Sequence, residues 1–275
     1  MRAIRTLAGI FVTALPVLIS CLNTAGEGPR DRGELQERYD IIDTTAMTIL
    51  QRFNPPPGYT RTVIDSSSFG FYLRHLKLKT FGSPVRYYDG RIKNKANVYI
   101  SVIDMDIGSR NLQQCADAIM RLRAEFLYAH QRYEDIHFTF VADGQPRYYE
   151  EYINRDHGYQ KFRAYLDYVF TSANTRSLSH ELTRVVNLAD MRIGDIFIMT
   201  GNPYGHAVIV VDMAESDATG EKLYLLAQSY MPAQDIQVLV NRENARISPW
   251  YRLAEGLVKT PEWTFGQEDL KRFGN

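Results

Sequence analysis

The stretch DIFIMTGNPYGHAVIVVDMAESDATGEKLYLLAQSYMPAQDIQVLV, residues 195–240, decides the fold. Four apolar runs lie in it: Asp195 to Met199, Ala207 to Met213, Leu223 to Ser229 and Ile236 to Val240. They are rich in β-branched residues and are separated by short polar segments with Gly, Pro, Asn and Asp. Runs of that length and spacing read as strands joined by turns. The segment Asp217 to Gly220 is short enough for a hairpin between the second and third strands.

Upstream of this meander the apolar spacing changes to that of helices. The clearest case runs from about Asn111 to Ala129, with Leu112, Cys115, Ile119, Leu122 and Phe126 along one stripe. Tyr39, Ile42, Ala46, Ile49 and Phe53 keep helical spacing over Leu35 to Phe53, and Asn54-Pro55-Pro56-Pro57-Gly58 stops that helix. Ser66-Ser67-Ser68 caps a short helix through Phe71, Leu73 and Leu76. Val85 to Tyr88 and Val98 to Ile103 read as strands around an Asp89-Gly90 turn. Ile136 to Val141 and Arg147 to Ile153 flank Asp143-Gly144 as a second hairpin. Tyr159 to Phe170 and Leu178 to Leu188 read as helices. Helices first and strands last predict an α+β domain, helices packed on an antiparallel sheet.

The first twenty residues form a signal peptide on this reading. Arg2 and Arg5 supply a positive start, Thr6 to Leu18 is largely apolar and uncharged, and Leu18-Ile19-Ser20-Cys21 closes the segment. That closing tetrapeptide resembles the lipobox of bacterial lipoproteins, which implies cleavage before Cys21, a lipid on its sulfur and a membrane anchor. Leu22, in place of Asp, points to the outer membrane. Residues 21–32 then read as a flexible tether and 33–275 as one domain carrying an inserted segment near 136–188.

The 275 residues are 45% hydrophobic and 23% charged, with 32 basic and 32 acidic side chains. A net charge of zero gives no basic excess to neutralise a phosphate backbone, which argues against nucleic acid as partner. Cys21 and Cys115 are the only cysteines. With Cys21 lipidated, Cys115 is a lone thiol in an oxidising compartment, either deeply buried or used.

Cys115 sits near a helix start, where unpaired N–H groups favour an anion and lower a thiol's pKa. Its candidate base is His206, at the mouth of the apolar strand and preceded by Gly205, which leaves room for a second backbone or a substrate. An orienting third residue must come from elsewhere, because Asp212 lies nearly 20 Å along the strand at about 3.3 Å per residue. An antiparallel return brings Gln228 or a neighbour opposite His206, and Gln228 orients an imidazole more firmly than Ser229. Gln113 and Gln114 are candidate oxyanion donors, or surface residues. His75, His130, His137, His157 and His180 show no ligand spacing; Asp104 and Asp106 read as loop-forming residues. Neither a metal nor a cofactor is expected. Taken singly, Cys115 also fits a small buried hydrophobe on its apolar stripe.

The order of Cys115, then Gly194-Asp195-Ile196-Phe197-Ile198, then His206 to Asp212, then Ala227-Gln228-Ser229 resembles the NlpC/P60 branch of papain-like cysteine peptidases. The resemblance implies a Cys-bearing helix on a His-bearing antiparallel sheet, with Cys115 as nucleophile, His206 as base and Gln228 orienting it. That branch has Ser and Gly after its Cys, where this chain has Ala116 and Asp117. Over Leu112 to Ala118, Gly205 to Met213 and Ala227 to Gln234 the chain is similar to a bacterial lipoprotein family known only as a domain of unknown function (4846 series). Two functions follow as expectations. One is a membrane-anchored cysteine hydrolase cutting amide bonds of peptides or cell-wall stem peptides; the other is a non-catalytic binding or structural lipoprotein with a degenerate hydrolase fold.

Overall fold

The computed structural model describes residues 41–274, so Cys21, the signal peptide and the tether lie outside the described residues. Four short elements open it: α1 (Ile49–Arg52), β1 (Tyr59–Arg61), α2 (Phe69–Arg74) and β2 (Tyr99–Val102). The helix α3 (Cys115–Ala129) follows, then the hairpin β3 (His137–Thr139) and β4 (Pro146–Tyr148). Helices α4 (Tyr149–Ile153), α5 (Tyr159–Phe170) and α6 (Thr175–Glu181) come next. The chain then runs through β5 (Thr183–Arg184), β6 (Ile196–Met199), β7 (His206–Ser216), β8 (Lys222–Gln228) and β9 (Gln237–Leu239). It ends in β10 (Tyr251–Arg252), the small hairpin β11 (Val258–Lys259) and β12 (Thr264–Phe265), and β13 (Leu270–Arg272).

The expected mixed architecture is present, centred on a nine-stranded antiparallel sheet of order β2-β9-β8-β7-β6-β13-β5. β1 shares the β6 edge of β7, and β10 shares the β9 edge of β8. Side chains alternate between the two faces of such a sheet. Ala207, Ile209 and Val211 face the helical layer, where Ile119, Leu122 and Phe126 of α3 meet them. Val208 and Val210 face a second core built from Phe197, Tyr224, Leu226, Leu239, Tyr251, Phe265 and Leu270. β7 is therefore buried along nearly its whole length, which explains its unbroken apolar run.

Several boundaries differ from expectation for identifiable reasons. Of the helix expected over Leu35 to Phe53, the described part is helical at Ile41 and at Ile49–Arg52, and not between them. There Thr48 Oγ1 accepts the Gln51 N–H and starts the helix, while Asp43 organises a turn just before it. The stripe from Ile42 to Phe53 reflects packing into the core rather than a continuous helix; Ile42 and Phe53 pair as a bridge. Val85 to Tyr88 makes isolated bridges, Arg86 with Ile92 and Tyr87 with Gln234, so the Asp89-Gly90 turn closes locally and does not join two sheet strands. Tyr149 to Ile153 is helix and not strand. The expected second helix divides into α6 and the short strand β5.

Two glycines fix the approach to β7. Gly194 adopts φ +96°, and a Cβ there would stand 3.0 Å from the Phe69 ring. At Gly205 a Cβ would lie 2.4 Å from the Met199 carbonyl oxygen and 2.6 Å from Thr175 Oγ1. The room that Gly205 leaves is thus taken by the backbone of β6 and by α6, not by a substrate. Asp195, beside Gly194, receives Arg272 at 2.6 and 2.7 Å and the Arg192 N–H at 2.8 Å, which pins β13 to β6.

Candidate active site

α3 begins at Cys115 itself, four residues later than its apolar spacing alone suggests. Asp117, in the first turn, accepts the Gln114 N–H at 3.0 Å and so holds the helix start in place. The backbone N–H groups of Ala116, of Ala207 from β7 and of Cys115 itself lie close enough to the sulfur to favour its thiolate. Ala207 follows His206 directly, so the sulfur lies beside the strand start that carries the imidazole. The Tyr230 ring packs on the imidazole, its centroid 4.8 Å from that of His206.

His206 Nε2 lies 2.8 Å from Gln228 Oε1. The register pairs Ile209 with Ala227, so Gln228 falls one step past that pair and diagonal to His206 on the same face. Ser229 turns the other way, toward the start of α3, with its hydroxyl 2.8 Å from the Gln234 carbonyl and 3.3 Å from that of Gln113. Asp212 stands far along β7, bonded to Arg61 and Arg74. The structure therefore joins His206 to Gln228, sets the Cys115 sulfur against the backbone of the neighbouring Ala207, and leaves Asp212 remote from all three.

The electrostatics contradict one expectation. Burial pushes the Cys115 thiol up to about 11, with Asp117 adding repulsion, despite the three N–H groups that favour the thiolate. The dipole of a helix end acts over a short range and stabilises an anion modestly, whereas removing a charge from water costs several times more. Burial likewise brings His206 down to about 4, although Gln228 and Glu262 favour its cation. Asp117 is itself pushed up to about 8 by burial, against the pull of its hydrogen bond from Gln114. Thiol and imidazole are accordingly both neutral at rest. Cys115 is 6% exposed and His206 1%.

Several site residues gave no signal in the sequence. Trp263 and Phe265 cover the His206 ring at centroid distances of 5.2 and 6.0 Å. Glu262, in the β11–β12 hairpin, receives Gln228, Lys93 and Lys95. These residues sit in irregular segments without periodicity, and only the acid at the third helical position, Asp117, was legible in principle as a capping residue. Gln113 is buried, its Oε1 accepting from Arg121 at 2.8 Å while its Nε2 has no partner among the described residues. Both amide atoms of Gln237, paired across the sheet with Gln228, are sealed in the same way. Two clefts, of 470 and 410 Å³, lie around Arg192 and include neither Cys115 nor His206.

No helix among the described residues is long and apolar enough to cross a membrane. No curated protein and no solved structure matches the chain. A family match does cover residues 49–272, from α1 to the end of β13, and so includes Cys115, His206, Gln228 and Glu262. The chain belongs to the family described as Domain of unknown function (4846).

Proposed function

We propose that the protein is a cysteine hydrolase of papain-like architecture, exported and anchored by a lipid on Cys21, that cuts amide bonds of peptides such as cell-wall stem peptides. The observation that carries this reading is the 2.8 Å contact between His206 Nε2 and Gln228 Oε1, one residue along the strand from Ala207, whose backbone meets a sulfur at a helix start. With Nε2 engaged by Gln228, Nδ1 is the imidazole nitrogen left to take the thiol proton. A helix bearing the nucleophile against an antiparallel sheet bearing the base supports the architecture.

In this mechanism His206 Nδ1 removes the Cys115 proton as the sulfur attacks the amide carbon. The developing oxyanion takes hydrogen bonds from the Cys115 N–H and from Gln113 Nε2, the sealed donor two residues away. The imidazolium returns its proton to the departing amine, leaving a thioester. Water, deprotonated by the same nitrogen, then releases the acid and restores the thiol. Because thiol and imidazole start neutral, the proton moves during attack and not before it. Substrate entry requires the roof of Tyr230 and Trp263 to part.

Incubating the purified domain with soluble cell-wall stem peptides and following amide cleavage by mass spectrometry tests this reading. Cleavage by the native chain is expected, with loss of about a thousandfold or more in Cys115→Ser and His206→Ala. No cleavage, or equal cleavage by Cys115→Ser, overturns it. The anchor is checked separately: labelled palmitate is expected on the native chain expressed in a bacterium and absent from Cys21→Ser, and labelling of both or neither removes the lipid assignment.

A second reading, a non-catalytic binding lipoprotein, is favoured by the sealed sulfur and its raised pKa. It expects stem-peptide binding without turnover and unchanged by Cys115→Ser.

A further inference from the structure

The glutamine that faces His206 has a partner of its own. Gln228 Nε2 lies 2.7 Å from Glu262 Oε2. The same oxygen receives Lys93 Nζ at 2.6 Å, and Glu262 Oε1 receives Lys95 Nζ at 3.0 Å. The Lys93 and Glu262 side chains are 4% and 3% exposed, so this pair is enclosed with the dyad. Burial alone would raise the Glu262 carboxyl, but hydrogen bonding and charge from Lys93, then Lys95, hold it below its usual range. It is a carboxylate at neutral pH.

A carboxylate can only accept. The end of the Gln228 amide that faces Glu262 must therefore be its NH2, whichever way so symmetric a group is drawn. The other end, facing His206, must be the oxygen. That oxygen can also only accept, so His206 Nε2 carries the hydrogen and the lone pair sits on Nδ1. Without the carboxylate nothing prevents the amide from turning over, offering NH2 to Nε2 and moving the ring proton to Nδ1. In that tautomer the imidazole has no lone pair for the thiol proton.

We infer that Glu262, clamped by Lys93 and Lys95, is a positioning residue that sets the tautomer of His206 through the orientation of Gln228. The chain His206–Gln228–Glu262–Lys93 extends the three-residue site by a fourth and a fifth group, drawn from segments 169 residues apart. It also makes one element responsible for two tasks, because the β11–β12 hairpin carries both Glu262 and Trp263, the ring over His206. The inference takes its purpose from the hydrolase reading above, but the tautomer is set whether or not Cys115 reacts.

The side-chain nitrogen shifts of His206 in nitrogen-15-labelled protein at pH 7 test it. The native ring is expected as Nε2–H. Glu262→Gln keeps an oxygen that can accept from Lys93 and Gln228 together, so it is expected to retain Nε2–H. The double variant Lys93→Met/Glu262→Leu removes the acceptor without stranding a buried ammonium. It is expected to populate Nδ1–H and to slow alkylation of Cys115 by iodoacetamide by about tenfold or more, the usual scale for losing an orienting partner. A double variant that stays wholly Nε2–H overturns the inference, as does loss of Nε2–H in Glu262→Gln. The native protein alone can do so as well, by showing an Nδ1–H ring, so the test survives a variant that does not fold. An Nε2–H native ring in a protein that cleaves no peptide would leave this inference standing and remove the hydrolase reading; an Nδ1–H ring in a protein that cleaves would do the reverse.

Discussion

At the residue scale, the site is governed by a contest that burial wins. Three N–H groups converge on the Cys115 sulfur, yet its thiol sits near 11 because the sulfur is enclosed and a carboxyl stands at Asp117. Asp117 is mostly protonated at neutral pH and ionises as pH passes about 8. Above that point a negative charge opposes formation of the thiolate. Asp117→Asn removes the charge and keeps an oxygen that can accept the Gln114 N–H. The thiol of the variant is therefore expected to titrate at lower pH, and alkylation by iodoacetamide at pH 9 to be faster by about threefold to tenfold, since one pKa unit is a factor of ten in thiolate. A pH profile that is unchanged, or moved upward, would show that Asp117 does not act on the sulfur. The position matters for family resemblance too, since Asp117 stands where papain-like peptidases of the NlpC/P60 branch carry a small residue.

At the scale of elements, β7 is the organising strand, and its two ends are secured differently. The His206 end is held by backbone approach at Gly205 and by the cover of the β11–β12 hairpin. The far end has a bulge between Val210 and Asp212. The extra residue re-aims Asp212 into the protein, where Arg61 meets it at 2.8 Å and Arg74 at 2.6 Å, and the Met213 N–H donates to it at 2.8 Å. These contacts tie β1 and α2 to the sheet. Arg74 is nearly sealed, so neutralising its partner strands a cation in the interior. Asp212→Asn is expected to lower unfolding stability by about 3 kcal/mol in urea at pH 7. A loss below about 0.5 kcal/mol would mean that solvent reaches the arginines. Alkylation of Cys115 in the folded variant should be unchanged, because Asp212 lies remote from the dyad.

At the scale of the whole molecule, the sheet is covered on both faces, by helices on one and by the C-terminal segments on the other. That enclosure is what keeps the Cys115 thiol and the His206 imidazole neutral. The sequence alone determined the strands β6 to β9, the helices α3 and α5 and the turn at Asp217 to Gly220, because a two-residue or 3.6-residue apolar period is a local property that burial imposes on each element. It also singled out Cys115, His206 and Gln228, since a helix start, a strand start and a hairpin return are all readable over a few residues. The extent of the first helix was misjudged because apolar spacing there reports contact with the core and is silent on backbone hydrogen bonds. The charge state of the thiol was misjudged because a helix dipole is visible in sequence and desolvation is not. Only the tertiary structure decided that Glu262 and Lys93, 169 positions apart, meet behind Gln228. Such a contact leaves no local pattern: it exists because chain packing closes a long loop over one face of the sheet, and its energy depends on the water that closure removes.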